Sequence, residues 1–271
     1  MSDVAAATRQ LVYLILGLPG SGRREVLADL IGGGLDAAAD RAHVYLPAGE
    51  SPQPADETTG ANSVTRLKWI ADHQLFAGDA PPAEATHVFV VLDCWVDPVD
   101  QLEAIKPWLA AHALEVTQIF TVVHCALAAK HAELNSWHDA CIHFSDAALL
   151  NRREGVENKW LSEFRRRYED QCMPCLFEFV KGGKVKNPVL LLDGAARRLS
   201  QYFDASEWDG LNLDDVEIGE SEDEDGENVR PLDKSQLDPD DQPPVDPWLE
   251  RDANGRRHKP LPDVHKLLGQ G

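Results

Sequence analysis

The chain has 271 residues with 46 acidic and 26 basic side chains, a formal net charge of −20. The excess is uneven: from residue 204 onward 20 acids face 7 bases, a net of −13, which leaves −7 over residues 1–203. Neither part has the positive field that holds nucleic-acid phosphates, and the apolar run 11–16 is far too short to span a bilayer, so neither nucleic acid nor membrane is expected as a partner. Residues 1–10 are polar or alanine-rich, unlike a secretory leader, and five scattered cysteines disfavour a disulfide framework; a cytoplasmic location is expected.

In chain order, residues 11–16 read as a buried strand that ends in Gly17-Leu18-Pro19-Gly20-Ser21-Gly22. A helix is predicted over 23–31, closed by the glycines at 32–34. Residues 43–46 read as a short strand, 47–62, rich in Pro, Gly, Ala and Thr, as a mobile loop, and 65–76 as a helix. A buried strand follows over 87–93, then a helix over 98–112 with Pro98 in its first turn. Residues 116–123 are a β-branched strand, 126–134 a helix, and 147–150 a short strand running into Asn151. Residues 157–171 make a charged helix with Trp160, Leu161, Phe164 and Tyr168 on one side. Residues 175–180 and 188–192 read as the last strands and 194–203 as a closing helix.

Alternating units with fully apolar strands predict an α/β fold, a mostly parallel sheet with helices on both faces. The expected organisation is a P-loop NTPase-like domain over 1–203 and an acidic, Pro-rich disordered tail over 204–271. Nine of the fourteen residues in 214–227 are acidic, and such a segment buries too little apolar surface to offset the entropy of ordering it. Two apolar islands lie within the tail, Pro247-Trp248-Leu249 and residues 261–268. They read either as incidental hydrophobes or as docking motifs.

The strand–glycine loop–helix context is that of a phosphate-binding loop, where backbone N–H groups cradle phosphates at a helix N-terminus. The glycine frame Gly17, Gly20, Gly22 is present, with Ser21 between the last two. Where such a loop has Lys followed by Ser or Thr, this chain has Arg23 and Arg24. Arg23 can still pair with a phosphate, through a planar fork rather than an ammonium. Arg24 cannot ligate magnesium and repels it, and phosphoryl transfer depends on that metal. An ordinary tight turn would also use these glycines.

Three further stretches make residues 11–203 resemble the CobW-like branch of the SIMIBI-class P-loop GTPases, a family of metallochaperone and cofactor-insertion proteins. Where that family has E-S-S-G-L-A-D-P, this chain runs Val91-Leu92-Asp93-Cys94-Trp95-Val96-Asp97-Pro98: Asp97 and Pro98 match, the acid is replaced by Val91 and the glycine by Cys94, and Asp93 stands two positions from the missing acid. Where the family strand reads T-V-V-D-A, this chain has Thr121-Val122-Val123-His124-Cys125. The family's guanine-recognition motif has its counterpart in residues 145–154: Asn151 is kept to support the loop, Arg152 replaces the lysine stem, and Glu154 replaces the base-binding Asp one methylene further out. The resemblance implies GTP or GDP as ligand, with magnesium disfavoured by Arg24. The family's C-x-C-C metal motif is absent, since no cysteine precedes Cys94, and the acidic tail is expected in place of the family's second domain.

Cys172 and Cys175 form a C-x-x-C pair without the second pair that a structural zinc requires; His138, Cys141 and His143 are the nearest recruits in sequence. They read as small hydrophobes entering a strand. His124 and His131 straddle a strand-to-helix boundary, and no Ser/His/Asp arrangement stands out. Arg165, Arg166 and Arg167 read as a solvated face with internal pairs or as a receptor for the acidic tail. The functional expectation is a degenerate GTPase-like protein, a weak or non-hydrolysing nucleotide binder or interaction module with an unidentified protein partner, reached through the tail. The alternatives are a slow GTPase or ATPase in cofactor or metal-protein maturation, using Asp93 or Asp97 for metal, and a nucleotide-independent scaffold.

Overall fold

The computed structural model describes residues 9–204 and 245–269. Its elements in chain order are β1 (Leu11–Gly17), α1 (Arg23–Gly34), β2 (Ala42–Pro47), α2 (Pro54–Glu57), β3 (Ser63–Ile70), β4 (Leu75–Ala77), β5 (His87–Val91), α3 (Pro98–Ala111), β6 (Glu115–His124), α4 (Cys125–Lys130), α5 (Asn135–Phe144), β7 (Ala147–Asn151), α6 (Asn158–Glu169), β8 (Leu176–Phe179), α7 (Pro188–Leu192) and α8 (Val264–Leu268). The strands form one eight-stranded sheet in the order β4-β3-β2-β5-β1-β6-β7-β8. Every pairing is parallel except β3 with the short β4. This is the α/β architecture that alternating apolar runs require, because a parallel sheet buries both faces under its crossover helices.

Successive side chains of β1 feed two cores. Val12, Leu14 and Leu16 pack with α3 and α5, whereas Tyr13 and Ile15 pack with α1 and α7. A third cluster of Val123, Ile142, Leu150, Leu161 and Phe164 seats α6 at the β8 edge. The strand order reverses about β1, between β5 and β6, and the glycine loop leaves β1 at that switch point. That is where open α/β sheets place their ligands.

The structure corrects several expected elements. Residues 65–76 are not a helix: the segment adds to the edge of β2 as β3 and turns back as β4, with Gln74 in the left-handed region (φ 45°). Trp69 and Phe76 meet edge to face across that hairpin, with ring centroids 5.2 Å apart, the kind of packing that outweighs intrinsic propensity. Residues 188–192 are helical, because Asn187 caps the Leu190 N–H and Pro188 presets the first turn. Residues 194–203 are irregular, because the Asp146 carboxylate takes the N–H groups of Arg197 and Arg198 that a helix would direct to its own carbonyls. Helix α5 lies between the expected helix at 126–134 and strand at 147–150, in a stretch the sequence left unassigned.

Two loops also differ from expectation. Residues 47–62, expected as a mobile loop, carry α2 and pack onto the glycine loop. Of the expected tail, residues 205–244 and 270–271 lie outside the described residues. Residues 245–269 are seated on the α3 side of the body, where Trp248, Leu249, Leu261, Leu267 and Leu268 join the core cluster and Val264 is 4% exposed. Both apolar islands are therefore packed surfaces.

Candidate functional site at the glycine loop

The loop is held by close packing that only glycine permits. A Cβ on Gly17 would lie 2.7–2.8 Å from Ser21 Oγ, Arg23 Cγ and Val122 O. Gly22 has φ +86°, and a Cβ there would lie 2.5 Å from Asn151 Nδ2. The Asn151 amide donates to Ser21 O at 2.8 Å, tying the end of β7 to the loop. Arg152 donates to Gly20 O at 3.2 Å and pairs with Glu25 of α1 at 2.8 Å, a half-exposed contact. Glu154 lies exposed in the following turn.

Both arginines fold inward. Arg23 is 5% exposed and Arg24 1% exposed. One Arg23 nitrogen donates to Leu92 O at the end of β5, and the other to Glu50 Oε1 at 2.7 Å. Arg24 donates to Glu50 Oε2 at 2.8 Å, to both Asp56 oxygens at 2.6 and 2.8 Å, and to Ser51 O at 3.1 Å. Arg66 of β3 adds a third cation at 3.2 Å from Asp56. The Glu50 carboxylate thus bridges two guanidiniums and also accepts the Cys94 N–H at 2.9 Å. Ser21 Oγ and Arg24 Nε are buried without a partner.

The protonation of the site follows from these contacts. Burial alone would raise the Glu50 carboxyl, but the Arg23 charge and hydrogen bond, with the Cys94 N–H, hold it below the usual range. Asp93 beside it is raised, mainly by burial. Its Oδ1 accepts the Trp95 N–H at 2.9 Å. Burial pushes the Cys94 thiol up to about 12. Asp97 is also raised by burial and is spent capping α3, accepting from Val99 at 2.8 Å and Asp100 at 3.3 Å.

Glu50, Asp93 and Cys94 bring their donor atoms within 4.8 Å of one another, the one such cluster among the described residues. It does not suit a divalent cation. Glu50 is already paired with two buried guanidiniums, which occupy both of its oxygens and would face an incoming cation with like charge.

The other candidates serve the fold. The Cys172 and Cys175 thiols are free; Cys172 is exposed, and burial raises Cys175. His138 donates to Leu134 O, and His143 pairs with Asp246 at 2.8 Å. His124 accepts the Leu127 N–H and caps α4. Arg165, Arg166 and Arg167 pair with Glu169, Asp170 and Asp139. No helix among the described residues is long and apolar enough to cross a membrane.

Glu50, Ser51, Asp56 and Arg66, which complete the cradle, were not anticipated from the sequence. The available signal was electrostatic: two adjacent arginines entering a buried helix need counterions, and residues 50–57 supply three acids.

No family model matches the chain, and no curated protein matches it. Among solved structures it is similar to a Zn(II)-bound YjiA GTPase from E. coli, with a TM-score of 0.40 at 10% identity, covering 67% of this chain and 62% of that one. It is also similar to a Zn(II)-bound triple mutant of YjiA GTPase, with a TM-score of 0.42 at 12% identity over 68% and 61% of the two chains. The chain therefore spans less than two thirds of the length of either.

Proposed function

We propose that this chain is a GTPase-like P-loop protein without phosphoryl-transfer chemistry, an interaction module whose phosphate cradle is held shut by its own carboxylates. The observation that carries this reading is the buried Arg23–Glu50–Arg24–Asp56 network. In a competent loop the cation beside the last glycine meets phosphate oxygens. Here both cations meet protein carboxylates, so an incoming nucleotide must displace two anions and then share the space with them. Like charges forced together in a dry site cost several kcal/mol. Any residual GTP or GDP binding is weak and gains nothing from magnesium.

The reading is tested by neutralising the internal anions. In Glu50→Gln with Asp56→Asn, the arginines are left without counterions and should recruit an external one. Pyrophosphate or GDP should raise the melting temperature of the double variant, because a ligand of the native state stabilises it, and should leave the parent unchanged. An equal rise in the parent would show that the cradle was never closed.

A further inference from the structure

Residues 245–269 are attached to the body in an unusual way. Among the described residues, no backbone–backbone hydrogen bond joins this segment to residues 9–204. Its backbone bonds are internal: Leu249 N–H to Asp246 O at 2.8 Å, Asp252 N–H to Arg256 O at 2.7 Å, His258 N–H to Glu250 O at 3.0 Å and Leu267 N–H to Asp263 O at 3.1 Å. It is a self-folded piece held by side chains alone. The contact has the anatomy of a protein–protein interface, an apolar centre with a charged rim. Trp248, Leu249, Leu261 and Val264 fill the centre. Arg257, buried in the contact, reaches Asp100 at 2.6 Å and Glu103 at 2.7 Å, and the partly exposed Arg251 reaches Glu103 at 2.6 Å at the rim.

Residues 205–244 number 40, with 15 acids and 2 bases. Both flanks meet at His143, whose carbonyl accepts the Leu199 and Ser200 N–H groups and whose ring pairs with Asp246. Because body and segment belong to one chain, docking is intramolecular, and an outside partner competes with it at the effective concentration that the connection sets. Where it docks also matters. His265 stacks on Trp95 with ring centroids 4.7 Å apart, and Trp95 follows Cys94, whose N–H holds Glu50.

We propose that residues 245–269 are a displaceable intramolecular ligand, and that the acidic α3 face beneath them is a peptide-docking site. The partner it fits carries a Trp-Leu anchor followed by two arginines spaced to reach Asp100 and Glu103. The site stands apart from the cradle reading, and its test uses no nucleotide.

The full chain is given a protease site within residues 205–244 and cut after folding. A fluorescein-labelled peptide of residues 245–269 is then added, and its capture by the body is read by anisotropy and gel filtration. The labelled peptide should exchange into the complex. Unlabelled peptide should compete, and a peptide carrying Arg251→Ala and Arg257→Ala should compete at least tenfold less well. Because the substitutions are in the peptide, the folding of the body is untouched. Failure of the native segment to exchange short of global unfolding would overturn the proposal. So would equal competition by the two peptides.

Discussion

Replacing Glu50 by Gln keeps the shape of the side chain and removes the charge that two buried arginines share. The Glu50 side chain is 5% exposed and those of Arg23 and Arg24 are 4% and 1% exposed, so solvent cannot stand in for it. Removing one partner of a buried ion pair costs about 3–5 kcal/mol, because the remaining charge stays desolvated. Here Asp56 still neutralises Arg24, and Leu92 O still accepts from Arg23, which places the loss at the low end, about 3 kcal/mol. For a body of this size that is a fall in melting temperature of roughly 6–12 °C. Urea unfolding of parent and variant at pH 7 measures it. The same pair predicts a pH dependence. A carboxyl held below its usual range in the folded state stabilises fully above the unfolded value, and that stability is lost as pH falls through the folded value. The parent should therefore lose stability below the ordinary Glu range, near 4.5, and the variant should lose less. A change under ~1 kcal/mol would refute the closed cradle, since that is what an exposed pair is worth.

Two further predictions concern packing, one in the glycine loop and one in the core. Gly22→Ala places a side chain in the left-handed region, at about 1–2 kcal/mol, and drives it into the Asn151 amide; with loss of that amide's bond to Ser21 O the cost should reach about 2–4 kcal/mol by urea titration, and a neutral result would mean the loop is not packed on β7. His138 is fully buried, with Nδ1 donating to Leu134 O and Nε2 without a partner, and burial lowers its value to about 4. The unfolded state then binds a proton that the folded state refuses between about 6.5 and 4, so roughly 3 kcal/mol of stability should be lost as pH falls across that window. His138→Gln should flatten that part of the profile, and an unchanged slope would contradict it.

How much of this was legible in the residues depends on what each one answers to. The strands β1, β5, β6 and β7 show in the sequence because a strand buried on both faces must be apolar throughout, and the glycine loop shows because its spacing is dictated by backbone approach. The hairpin of β3 and β4 does not show, since Thr65, Leu67 and Trp69 answer to a neighbouring strand edge distant in sequence. The irregular run 194–203 depends likewise on Asp146, about fifty residues earlier. The substitution of Arg23 and Arg24 was visible at once, but their counterions were not, because Glu50 and Asp56 sit in a segment with no periodicity to read. The composition of 204–271 hid the packed segment at its end, whose anchors are few and set among acids and prolines.

The central claim is that the arginines of the glycine loop serve internal carboxylates rather than a metal-bound nucleotide. Calorimetric titration of the parent chain with GTP, GDP and ATP, each with and without magnesium and followed by phosphate release, tests it most directly. The expected result is weak binding or none, no dependence on magnesium and no turnover. Magnesium-dependent micromolar binding accompanied by phosphate release would contradict it.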